Sequence, residues 1–122
     1  MTHKRRLEQV NELLREEIAS LLILENTDPV LAAMTVTEVR VTPDLSFARV
    51  FVMIRRGAAG EVSEAESPAG LQHAAEKVQK LLGGRIHIKR TPRLRFEVDD
   101  TAERAERIEQ LLNEVRDDWD HA

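Results

Sequence analysis

Val36-Thr37-Glu38-Val39-Arg40-Val41-Thr42-Pro43-Asp44-Leu45-Ser46-Phe47-Ala48-Arg49-Val50-Phe51-Val52-Met53-Ile54 decides the fold of this chain. Residues 36–41 and 48–54 are rich in β-branched and aromatic side chains, which suit a pleated, half-buried surface. Thr42-Pro43-Asp44-Leu45 between them reads as a turn, with proline pre-setting its first central residue. So short a link forces the two strands antiparallel. The apolar alternation slips at Thr37-Glu38, which predicts a β-bulge or a strand that starts later.

Upstream, Leu7, Val10, Leu14, Ile18 and Leu21 recur at three- and four-residue spacing, with Leu13 and Leu22 widening the stripe. This predicts an amphipathic helix over residues 3–25, ended by Asn26-Thr27-Asp28-Pro29 because proline disfavours helical geometry at the residue before it. Downstream, residues 57–66 lack periodicity and read as an exposed loop. Ser67-Pro68 supplies an N-cap and a proline for a second helix, whose core stripe is Leu71, Ala74, Ala75, Val78, Leu81 and Leu82. Gly83-Gly84 is its expected stop. Leu94, Phe96 and Val98 alternate with Arg95 and Glu97, a third strand. Asp100 with Glu103 resembles a capping box, and Ala105, Ile108, Leu111, Leu112, Val115 and Trp119 form the stripe of a last helix. The expected order is helix-strand-strand-helix-strand-helix, an α+β domain.

The chain has 122 residues, 42% of them hydrophobic and 33% charged, the proportions of one small globular domain rather than of disorder. No apolar run reaches the roughly 18–20 residues of a membrane span, and the start Met1-Thr2-His3-Lys4-Arg5-Arg6 lacks the features of a signal peptide. Cysteine is absent, so thiol chemistry and disulfides are excluded. A cytoplasmic protein is expected. The net charge of −4 hides a segregation: there are 15 Lys/Arg against 12 Asp/Glu up to Phe96, and 3 against 10 beyond it.

No catalytic, metal or cofactor motif is apparent. His3, His73, His87 and His121 fall in different elements, without metal-ligand spacing. No nucleophile elbow, phosphate loop or dinucleotide fingerprint occurs, and tyrosine is absent. Asp99-Asp100 and Asp117-Asp118 read as helix caps or solvated acids. The expectation is a protein that binds without catalysing, and that takes no small-molecule substrate.

The basic residues point to what it binds. Residues 85–95 hold four Arg and one Lys with no acid: Arg85, Lys89, Arg90, Arg93 and Arg95. Guanidinium groups grip phosphate oxygens bidentately, and clustered cations gain from counterion release on a polyanion. On the preceding helix, His73, Lys77 and Lys80 lie at i, i+4 and i+7 and so share a face. Arg49, Arg55 and Arg56 form a second group on and after strand two. A solvated surface, with cations favoured at a helix C-terminus, is the plainer reading of Lys77 and Lys80 alone. The aromatics, Phe47, Phe51, Phe96 and Trp119, are few and fall mostly where a core needs filling. Backbone and shape recognition of folded RNA is therefore expected over stacking of free bases. The alternative is a protein-interaction or dimerisation module whose basic face meets an acidic partner.

The order and spacing of several motifs resemble the bacterial ribosome-binding factor A family. They are Arg6-Leu7-Glu8-Gln9-Val10 leading to Glu17-Ile18-Ala19, Glu25-Asn26-Thr27-Asp28-Pro29, the hairpin from Val36 to Val52, Leu81-Leu82-Gly83, the nine residues between Leu82 and Pro92, and Arg93-Leu94-Arg95-Phe96-Glu97-Val98-Asp99. The resemblance spans about nine-tenths of the chain. It implies a type II KH-like fold, a three-stranded sheet with helices packed on one face. It also implies a monomeric partner of the small ribosomal subunit that binds immature 16S rRNA, assists its late maturation and processing, and supports growth in the cold. Residues 1–116 would form the KH-like domain and residues 117–122 a short acidic tail. The phosphate-binding residues would be Lys77, Lys80, Arg85, Lys89, Arg90, Arg93 and Arg95, helped by Arg55, Arg56, Lys4, Arg5 and Arg6. Two positions depart from the family pattern: Val30 stands where arginine usually follows Asp-Pro, and Ala74-Ala75-Glu76 replaces the Ala-x-Gly helix kink. Without the permissive glycine the helix is expected to run straighter through Ala75.

Overall fold

The computed structural model describes residues 3–55, 64–86 and 90–99. The expected last helix, the acidic tail, Arg56 and Lys89 lie outside them. Helix α1 (His3–Leu24) buries Leu14 and Ile18 completely and Leu21 and Leu22 nearly so. Leu13 does not widen this seam as expected but is exposed, because one residue turns the helix about 100° away from it. Each fully buried leucine or isoleucine contributes roughly 1.5–3 kcal/mol.

Asp28-Pro29 does more than end α1. The Asp28 carboxylate accepts the N–H groups of Val30 (3.0 Å) and Leu31 (3.3 Å), capping a second short helix, α2 (Pro29–Ala32), with proline at its first position. Leu31 of this turn is fully buried.

Strand β1 (Met34–Val41) pairs antiparallel with β2 (Phe47–Ile54), with the expected bulge between Val36 and Glu38. The extra residue keeps Val36 and Val39 both facing the core although they are three apart. At the turn, Leu45 N–H donates to Thr42 O (2.8 Å) and Thr42 N–H to Phe47 O (2.9 Å). Leu45 takes a left-handed φ of 61° there. The side chain and backbone of Ser46 and the hydroxyl of Thr42 donate to Asp44 and lower its pKa to about 2.

Residues 64–66 are not loop, as the lack of periodicity suggested, but a 3₁₀ turn that buries Ala65. Gly70 makes this possible: a Cβ there would stand 2.4 Å from Glu64 O and 2.9 Å from Ala65 Cα. Ser67 caps α3 (Pro68–Leu82) by accepting Gly70 N–H at 3.0 Å, and the helix runs unbroken through Ala74-Ala75-Glu76. It stops at Gly83 without a left-handed cap, since Gly83 keeps φ −57°.

The chain then returns as β3 (Arg93–Val98), parallel to β2, so the sheet order is β1-β2-β3. Both outer edges are closed at one point by a helix amide. Asn11 accepts Val41 N–H (2.8 Å) on β1, and Gln79 both accepts Leu94 N–H (2.7 Å) and donates to Pro92 O (2.9 Å) on β3. Helix α1 packs on β1 and α3 on β3, and both bury the same sheet face, whose core includes Ala48, Val50, Val52, Leu94 and Phe96. This is the KH-like α+β arrangement implied by the resemblance. Phe47 corrects another expectation: it is 55% exposed rather than core, because the inward phase of β2 falls on residues 48, 50 and 52. Val98, in phase with Leu94 and Phe96, is likewise exposed at the end of its strand.

Candidate nucleic-acid interface

The basic positions separate into compensated and unpaired cations. Asp28 is the main compensator. Its Oδ2 is met by His73 Nε2 at 2.7 Å and by Lys77 Nζ at 2.9 Å, and Lys77 also lies 3.4 Å from Glu25. Burial of Asp28 opposes its charge, but the hydrogen bonds from His73, Lys77, Leu31 and Val30 outweigh it and hold the carboxyl well below the usual range. The hydrogen bond to Asp28 in turn raises the pKa of Lys77. His73 and Lys77 thus fasten α3 to the Asp28 cap and, unlike Lys80 on the same stretch of helix, do not stand free. Arg85 bonds to Glu17 at 3.0 Å, tying the end of α3 to α1. Arg49 bonds to Glu97 at 2.6 Å.

Lys80, Arg90, Arg93 and Arg95 make no ion pair among the described residues. Lys80 and Arg93 stand on a groove of about 530 Å³ between α3 and β3, shared with Gln72, Glu76, Gln79 and Thr91. Gln79 sets the width of this groove, since its two hydrogen bonds fix the start of β3 against the helix. No periodicity in the sequence singles this glutamine out. Glu76 replaces the family's glycine with a carboxylate in the groove, hydrogen-bonded to the Gln72 amide at 3.1 Å. Val30, in place of the family's arginine, packs against the core instead of offering a charge.

The ion pairs Glu17–Arg85 and Glu25–Lys77 show that α1 and α3 run antiparallel. The first turn of α1, with exposed Lys4, Arg5 and Arg6, therefore projects from the end of the domain where α3 stops and the basic segment begins. Arg6 is eleven residues from Glu17, about 17 Å along the helix. Cations oppose the helix dipole at an N-terminus, so α1 gains nothing from them there. Arg55 is not part of this cluster. It follows the far end of β2, whose beginning, Phe47, is in register with Arg93. Among the described residues no group of three His, Asp or Glu side chains is arranged to hold a metal ion. No described helix is long and apolar enough to cross a membrane.

The family model for ribosome-binding factor A matches residues 6–112, most of the chain. The chain belongs to the ribosome-binding factor A family. Ribosome-binding factor A of Rubrobacter xylanophilus is 45% identical over 108 residues, covering 88% of this chain and 81% of that protein. The Halothermothrix orenii protein of the same name is 34% identical over 115 residues, 94% of this chain and 92% of its own. The crystal structure of ribosome-binding factor A from Thermus thermophilus superposes with a TM-score of 0.60 at 27% identity, covering 75% of this chain and 93% of that one. In this member of the ribosome-binding factor A family, Lys80 and Arg93, which make no ion pair among the described residues, stand where α3 meets β3.

Proposed function

We propose that this protein binds the small ribosomal subunit through 16S rRNA and assists its late maturation, acting as a monomer in the cytoplasm and without catalysis. The observation that carries this reading is the pair Lys80 and Arg93 at the groove between α3 and β3, which, like Arg90 and Arg95 next to them in the basic segment, make no ion pair among the described residues. Their neighbours Lys77 and Arg85 already have carboxylate partners. A net-acidic protein in which these particular cations meet no carboxylate among the described residues has a surface suited to phosphate. The names of its relatives supply the ribosome as the source of that phosphate.

Lys80, Arg90, Arg93 and Arg95 would hold the RNA backbone, with Lys89 continuing the segment and Lys4, Arg5 and Arg6 reaching a more distant phosphate. Lys77 and Arg85 would chiefly position α3, and Arg55 and Arg56 would be peripheral. The protein would act by binding one rRNA conformation better than its alternatives, which shifts the population toward it. Cosedimentation tests this. Wild-type protein should travel with free small subunits, and the Lys80→Glu/Arg90→Glu/Arg93→Glu variant should remain at the top of the gradient while keeping its circular dichroism spectrum. Unchanged cosedimentation of the variant would remove the groove from the mechanism.

A further inference from the structure

The face of the sheet turned away from the helices is neither covered by a described element nor polar in an ordinary way. Phe47 is 55% and Met53 47% exposed on β2, and Phe51 is half-buried between them. Arg40, Arg49 and Arg95 stand in one row across the three strands, each in register with the next, and Phe47 is in register with Arg93. Glu38 and Glu97 on this face are both engaged: Glu38 bonds to Arg40 at 2.8 Å and Glu97 to Arg49. Among the described residues the unpaired charge left beside the exposed ring is therefore positive, from Arg93 and Arg95. The Arg49 guanidinium lies 4.9 Å from the Phe51 ring centroid, so the face already stacks a planar cation on an aromatic ring.

We infer that this outer face takes unpaired nucleotides, stacking a base on Phe47 and holding the adjoining phosphates with Arg93 and Arg95. Every base has a π-face, so an exposed ring flanked by arginines binds single-stranded RNA with little regard to sequence. Arg93 also borders the groove between α3 and β3, so a strand leaving the groove would cross Arg93 directly onto Phe47. The inference rests on the RNA-binding reading and extends it from folded RNA to an adjacent unpaired segment. A purely apolar docking patch for protein would not need guanidinium groups beside its ring.

The test measures anisotropy of a labelled, unstructured ten-nucleotide RNA and of an RNA duplex against wild type, Phe47→Ala, Phe47→Tyr and Lys80→Glu. Phe47→Ala should weaken oligonucleotide binding roughly five- to 150-fold. It should leave duplex binding unchanged, and Phe47→Tyr, which keeps the ring, should bind like wild type. Wild-type affinity for the oligonucleotide in Phe47→Ala would overturn the inference. So would a loss of subunit cosedimentation in Phe47→Ala with oligonucleotide binding intact, which would make the face a protein contact. Lys80→Glu separates the two readings: if it alone weakens duplex binding, the groove stands whatever Phe47 does.

Discussion

The division between paired and unpaired cations makes a quantitative prediction about salt. Lys80, Arg90, Arg93 and Arg95 have no carboxylate partner among the described residues, so each can neutralise a phosphate, whereas Lys77 is already held by Asp28 and Glu25. Each phosphate contact contributes about 0.7–0.9 to the slope of log K against log salt. These four contacts alone give a slope of about −2.8 to −3.6, a fall in affinity of roughly 50- to 150-fold between 50 and 200 mM salt, and contacts from Lys89, Lys4, Arg5 and Arg6 steepen it further. Lys80→Gln/Arg93→Gln removes two contacts and should flatten the slope by about 1.4–1.8, so the same salt step weakens binding about tenfold less than in wild type. Lys77→Gln should leave the slope close to that of wild type. The assay is filter binding or anisotropy with 16S rRNA across a salt series, each variant first checked for unchanged far-ultraviolet dichroism. A Lys77→Gln slope that falls as far as that of Lys80→Gln would refute the reasoning, because pairing in the folded protein would then not decide which cations meet the RNA.

Three further outcomes follow from the packing. Gly70→Ala should destabilise the domain by about 1–3 kcal/mol, since its Cβ would press on the backbone of Glu64 and Ala65; a melting temperature equal to wild type would contradict this. Gln79→Leu should leave Leu94 N–H without its partner at the sheet edge, costing about 1–3 kcal/mol, and amide exchange should quicken at Leu94. Asp28→Ala should cost about 0.5–2 kcal/mol at pH 7 from the lost cap alone. Asp28→Asn keeps a capping side chain and isolates the charge. The folded pKa of Asp28 is depressed, so its charge stabilises fully above the unfolded carboxylate value, about pH 4, and progressively less as pH falls below it. The gap in unfolding free energy between wild type and Asp28→Asn should therefore be constant near neutrality and narrow below about pH 4, as read from urea titrations.

Local chemistry was legible in the sequence and long-range partnership was not. The hairpin, its turn, the bulge at Thr37-Glu38 and the Ser67 cap are set by neighbouring residues, so reading neighbours suffices to find them. The α2 turn escaped that reading because Asp28-Pro29 both terminates one helix and caps the next. The buried Ala65 escaped it because its burial depends on Gly70, five residues away across a turn. At the site, the basic character of residues 85–95 was plain. Which cations are free was not, since Glu17 compensates Arg85 from 68 positions away and Asp28 compensates Lys77 from 49 away.

Periodicity, turn chemistry and charge segregation, all properties of adjacent residues, determined by themselves that this chain forms an α+β domain with a basic segment leading into its last described strand. Only the tertiary structure decided that Lys77 and Arg85 serve the fold, that Gln79 holds the groove's edge and that Phe47 faces solvent. The physical reason is the same in each case. An ion pair, an edge hydrogen bond and the inward phase of a central strand depend on what lies across space, and folding sets that distance between residues far apart in the chain.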